Sequence, residues 1–193
     1  MSYMNEYFKE VVKACNNLIE SELDNMIDII YTIKKNKGRL FFIGVGGGAG
    51  NSSHAVCDFR KLVGIESYSV TENIPELTAR INDEGWNTAF SESLKSSNLC
   101  DKDGIFVFSV GGGSIEQNVS VNIIEAAKYA KSVNAKILGI VGRSKGYIAQ
   151  NSDSCIIINC DNKFITPMTE SFQTLIWHML VTSPKLQSFS TKW

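Results

Sequence analysis

The chain has 193 residues, 44% apolar and 20% charged, with 19 basic and 20 acidic side chains and a formal net charge of −1. That length suits one domain able to bury a full core. Near-neutral charge argues against a non-specific binder of nucleic acid or another polyanion, and so many large apolar residues exclude a disordered composition.

The opening residues, 1–10, are polar and lack the apolar stretch of a signal peptide, and no apolar run approaches the ~18 residues needed to span a bilayer. A cytoplasmic protein without membrane or nucleic-acid contacts is expected. From Tyr3 to Asn36, apolar residues (Met4, Phe8, Val11, Cys15, Ile19, Met26, Ile30, Ile33) recur at helical spacing without glycine or proline. This pattern predicts one long helix within residues 1–36; a break around Asn16–Asn17 is the alternative. At ~1.5 Å per residue an unbroken helix would be about 50 Å long, more than one small domain can cover. A homo-oligomer, a tetramer by preference, is therefore expected.

After Gly38 the period changes, and residues 37–193 read as an α/β core in a single domain. Strands are predicted at 40–44, 68–71, 105–110, 137–141 and 155–159. Helices are predicted at 51–62, within 74–99, and at 117–132, 147–151 and 166–181. Continuous apolar strands alternating with helices predict a five-stranded parallel sheet, doubly wound, with helices on both faces in three layers. The five cysteines (Cys15, Cys57, Cys100, Cys155, Cys160) form no CxxC pair, which predicts reduced and mostly buried thiols.

Two glycine-rich segments follow strands. In the first, Gly44-Val45-Gly46-Gly47-Gly48-Ala49-Gly50-Asn51-Ser52, glycines let the backbone approach a ligand and the helix start favours an anion. No Gly-Lys-Ser/Thr follows, so it is not a P-loop; it fits the short G-x-G-x-x-A dinucleotide pattern with Glu72 as the acid, although no hydride site accompanies it. The second, Ser109-Val110-Gly111-Gly112-Gly113-Ser114, adds two hydroxyls to a backbone nest and favours a phosphorylated small molecule. The chain's two histidines offer the remaining chemistry. His54 and Asp58 are four apart on one helical face, as a metal pair or an ordinary surface pair would be. His178 lies in an apolar helix, eight residues after Glu170.

In order and spacing, the leading helix, GVGGGAGNSSHAVCD, INDEGW, SVGGGS and ESFQTLIWH resemble the phosphoheptose (sedoheptulose 7-phosphate) isomerases of the sugar-isomerase (SIS) domain family along nearly the whole chain. The resemblance implies a flavodoxin-like SIS fold and aldose–ketose isomerisation of sedoheptulose 7-phosphate through an enediol. It also implies one Zn2+ per subunit and sites at subunit interfaces. It assigns His54, Asp58, Glu170 and His178 as metal ligands, with Asp58 and His178 as the acid/base pair. Gly46, Gly47, Gly48, Asn51, Asp83, Ser109, Gly111, Ser114 and Glu170 would bind substrate. The chain departs from the family at Asp58 (glutamate in the family), at Glu170 (glutamine), at Pro167 (often aspartate) and in a glycine-rich, longer second loop. Two carboxylates make the ligand set harder, so manganese or iron is conceivable beside zinc. A non-catalytic sugar-phosphate sensor on the same fold is the alternative function.

Overall fold

The computed structural model describes residues 2–191. A five-stranded parallel sheet forms from β1 (Leu40–Gly44), β2 (Ser67–Ser69), β3 (Gly104–Ser109), β4 (Lys136–Val141) and β5 (Ser154–Ile157) in the order β2-β1-β3-β4-β5. This doubly wound order places the ligand crevice at the carboxyl ends of β1 and β3, where the winding direction reverses.

Side chains alternate along each strand, so one sheet builds two cores. Leu40, Phe42, Phe106, Phe108, Leu138 and Ile140 point to one face, against α2 (Glu20–Lys35), α3 (Gly47–Asp58) and α8 (Ile165–Thr182). Phe41, Ile43, Ile105, Val107 and Ile137 point to the other. There they meet α5 (Ala89–Ser96), α6 (Val121–Ser132), α7 (Tyr147–Asn151) and the inner edge of α4 (Ile74–Glu84). The three expected layers are present.

The amino-terminal segment is not one helix. Helix α1 (Tyr3–Asn16), capped by the Ser2 hydroxyl, stops at Asn17, and Ile19 is extended (φ −99°, ψ 113°) before α2 begins. The break lies where consecutive asparagines, poor helix formers, meet the chain. It lets α1 fold back: the Tyr7 ring meets Phe164 edge-on at 5.5 Å, and Glu10 accepts a hydrogen bond from the Asp161 N–H at 2.8 Å. The outer side of α1 stays bare, with Tyr3, Met4, Phe8 and Val12 each more than half exposed.

Three other boundaries moved. Helix α3 starts at Gly47, not Asn51, so most of the first glycine segment is helix and only Val45–Gly46 is loop. A Cβ on Gly48 would meet the Phe108 carbonyl oxygen at 2.4 Å; the glycine lets the helix start sit directly on β3. The far end of α3 runs into a π-turn at Phe59–Val63. Helix α6 begins at Val121 because Asn118 and Ser120 are left-handed (φ 52° each) and an antiparallel bridge joins Ser114 to Val119. The cysteines also differ from expectation. All five are free, but Cys15 and Cys57 are exposed and the other three half-buried.

Candidate functional site

Helices α3 and α8 both follow strands of the parallel sheet and pack side by side, running the same way. Three polar levels along their seam follow from that register. Uppermost, the Glu170 carboxylate covers Gly47: a Cβ there would lie 2.5–2.6 Å from its carboxyl atoms. One turn down, the Asn51 amide donates to the Glu170 carbonyl (3.0 Å) and to Gln173 Oε1 (2.9 Å) and accepts from the Thr174 hydroxyl (3.0 Å). Gln173, fully buried, in turn donates to the Ile140 carbonyl at 3.3 Å, tying the seam to β4.

The third level joins the chain's two histidines. His54 Nε2 lies 3.9 Å and His178 Nε2 3.5 Å from the same oxygen, Asp58 Oδ2. Asp58 is 4% exposed, whereas both imidazoles reach solvent. Ligand atoms of the three residues lie within 4.8 Å of one another. The fully buried Trp177 ring backs the group, 4.6 Å from the His54 ring and 3.6 Å from the His178 ring between centroids.

The decisive feature is that buried Asp58 Oδ2 makes no hydrogen bond. A buried carboxylate oxygen without a donor is costly and calls for a cation. Two imidazole nitrogens and one carboxylate oxygen around a common space, open on one side, are the donor set of a divalent transition-metal site with room for substrate. The residues present therefore fit a bound metal.

Other expected site residues lie elsewhere. Glu170 is not in this group; it sits eight residues, ~12 Å, back along α8. Asp83 is exposed near the end of α4, in the opposite layer, where it accepts from the Asn82 amide at 2.7 Å. Ser109 and Ser114 flank the second glycine segment, their hydroxyl oxygens accepting from the Gly112 N–H (3.0 Å) and the Gln117 N–H (3.2 Å). Gly46 forms the left-handed entry to α3 (φ 59°). Trp177 was not singled out from sequence, although its place beside His178 put it at the same seam.

No protein-family model matches the chain. The phosphoheptose isomerase of Helicobacter pylori strain P12 is 25% identical over 177 residues, covering 89% of this chain and 87% of that protein. The phosphoheptose isomerase of Aneurinibacillus thermoaerophilus is 26% identical over 191 residues, covering 92% and 91%. Among solved structures, the phosphoheptose isomerase of Neisseria gonorrhoeae shares the fold with a TM-score of 0.79 at 21% identity, over 93% of this chain and 92% of that one. The likeness to phosphoheptose isomerases runs along nearly the whole length, in sequence at about a quarter identity and in fold.

Proposed function

We propose that the chain interconverts sedoheptulose 7-phosphate and D-glycero-D-manno-heptose 7-phosphate, as an aldose–ketose isomerase in heptose biosynthesis. The observation that carries this reading is the His54–Asp58–His178 group with its unpaired carboxylate oxygen. The curated relatives supply the substrate class.

Isomerisation moves a proton between adjacent carbons through an enediol: a base takes the proton from the carbon beside the carbonyl, and an acid serves the oxygens. Asp58 and His178, 3.5 Å apart, are the proposed pair. The half-exposed imidazole can reach substrate, while buried Asp58 is held in place by its helix. His54, Asp58 and His178 would hold the metal, with zinc the expected ion. When bound it would act as a Lewis acid on substrate oxygens.

The wall of the crevice is assigned to Gly46, Gly47, Gly48, Asn51, Ser109, Gly111 and Ser114, which would anchor the sugar phosphate. Most of them lie at the Gly47–Glu170 level, ~12 Å along α8 from the histidines of the same chain, so the reacting carbons would meet the His54–Asp58–His178 group of another copy. Glu170 lies too far along α8 to join the metal group of its own chain, so a fourth ligand from this position would come from another copy. The bare apolar side of α1 supports such a homo-oligomer, a tetramer by preference. No helix among the described residues is long and apolar enough to cross a membrane, which is compatible with a cytoplasmic setting. Following sedoheptulose 7-phosphate by 13C NMR tests the reading. Appearance of the aldose supports it, and an unchanged spectrum with metal-loaded protein overturns it.

A further inference from the structure

Imidazoles that ligate a metal are ordinarily aimed by an outer hydrogen bond, in which the ring nitrogen away from the ion donates to a carbonyl or carboxylate. Neither histidine here has that support. His54 and His178 both turn Nε2 toward Asp58 Oδ2, and neither Nδ1 bonds to any group among the described residues. The His54 side chain is 59% exposed and that of His178 40%. The last torsion of a histidine side chain is broad, so rings this exposed turn unless something flat holds them.

Trp177 supplies the flat surface. Adjacent positions on a helix point about 100° apart, so Trp177 enters the interior while His178 stays at the open edge of the seam. The fully buried indole lies 3.6 Å from the His178 ring at an interplanar angle of 36°, and 4.6 Å from the His54 ring at 67°. One ring thus touches both imidazoles and sets the angle between them. They stand nearly perpendicular, at 85°, with centroids 5.5 Å apart. In that arrangement both Nε2 atoms face one carboxylate oxygen, at 3.9 and 3.5 Å.

The indole is kept at a cost. Its Nε1–H is buried without an acceptor, whereas a buried tryptophan usually finds one. An aliphatic side chain would fill the interior without that orphan donor, but it offers no plane for a ring to rest against. We propose that Trp177 is a positioning residue for the metal group, its aromatic plane standing in for the outer hydrogen bonds that His54 and His178 lack. The inference rests on the reading of His54, Asp58 and His178 as metal ligands.

Zinc affinity of the whole chain is the test, measured without substrate by competition with a chromophoric chelator on Trp177→Phe, Trp177→Leu and Trp177→Met. Calorimetry in excess chelator first reports whether each variant folds; methionine, unbranched and adaptable, is included because it fills irregular space. Trp177→Phe keeps a flat ring and drops the unpaired N–H, so its affinity should stay close to that of the wild type. Trp177→Leu and Trp177→Met should weaken zinc binding about ten- to a hundredfold, the range for losing the outer support of a ligand. A purely structural role would lower the unfolding temperature in chelator and leave the zinc affinity of folded variants unchanged. Wild-type affinity in a folded aliphatic variant overturns the proposal, as does an equal loss in Trp177→Phe. Should neither aliphatic variant fold, Trp177→Phe decides alone: retained affinity supports the proposal and a tenfold loss overturns it. Turnover of sedoheptulose 7-phosphate is read separately. Ring-dependent zinc binding without turnover in the loaded wild type sinks the isomerase reading and leaves the proposal standing. A wild type that binds no zinc sinks the proposal, whatever its turnover.

Discussion

Replacing Asp58 with asparagine should stabilise the metal-free protein while abolishing its stabilisation by metal. Asp58 is 4% exposed and its Oδ2 has no donor, with two imidazole nitrogens at 3.5 and 3.9 Å. Leaving a buried acceptor unsatisfied costs about 1–3 kcal/mol, and more when it is charged. Asparagine keeps the shape and removes the charge. In a chelator, the variant should therefore unfold at a higher temperature, by roughly 2–4 °C for each kcal/mol recovered in a domain of this size. Added zinc should reverse the order. A metal at about a hundred times its Kd stabilises the wild type by ~2.7 kcal/mol, and the variant, without its anionic ligand, should gain little. Differential scanning calorimetry at fixed protein concentration, with chelator and with zinc, reads both effects. A variant less stable than wild type in chelator, with an equal zinc shift, would refute the claim that Asp58 waits for a cation.

Four further outcomes are expected. Asp103 accepts from the Arg39 guanidinium (2.6 Å), from the Arg39 N–H and from the Cys100 N–H, and is 2% exposed. Asp103→Ala should cost about 1.5–3 kcal/mol in urea unfolding, the worth of hydrogen bonds to a charged group, because the part-exposed Arg39 and the Cys100 N–H lose their buried acceptor. Burial pushes the Asp103 carboxyl up, but the hydrogen bonds from Arg39 and Cys100 outweigh it and hold the group below the ordinary aspartate value. The unfolded chain thus binds more protons there. This contribution is complete above the unfolded pKa of ~3.9 and fades as pH falls through the lower folded value, a slope that Asp103→Asn should remove from urea midpoints measured between pH 3 and 6. A Cβ on Gly47 meets only the far end of the flexible Glu170 side chain, and alanine favours a helix over glycine, so Gly47→Ala should swing that carboxylate aside and change stability by less than about 1 kcal/mol in urea unfolding. A larger loss that disappears in a Glu170→Ala background would show the carboxylate to be fixed in place. Phe8→Glu, on the bare side of α1, should lower the mass seen by multi-angle light scattering; an unchanged mass removes α1 from the interface.

Much of the fold was legible because buried parallel strands announce themselves. Segments such as Ile105-Phe106-Val107-Phe108, short, apolar and β-branched or aromatic, read as interior strands, and β1 and α7 fall on their expected bounds. What the sequence hid was governed by tertiary contact. Asn16–Asn17 could continue a helix or end it, and the fold-back of α1 onto Phe164 decides for the break. Glycines 46–50 read as a loop, yet Gly48 is helical so that α3 can approach Phe108. The bridge between Ser114 and Val119 delays α6 and has no local signal except Asn118 and Ser120. At the site, the i, i+4 spacing placed His54 with Asp58, but only the parallel packing of α3 on α8 brings His178 to the same oxygen. That register also carries Glu170 away, because eight residues on one helix cannot converge on one ion.

If His54, Asp58 and His178 form a metal-dependent isomerase centre, turnover must follow the metal through them. The conversion of sedoheptulose 7-phosphate is followed before chelation, after exhaustive chelation and after return of stoichiometric zinc, in the wild type and in His54→Ala and His178→Ala. Turnover should disappear with the metal and return with it in the wild type, with no recovery in either variant. Full turnover in the chelated wild type, with metal content verified as absent, would contradict it and leave Asp58 and His178 as acid and base without an ion.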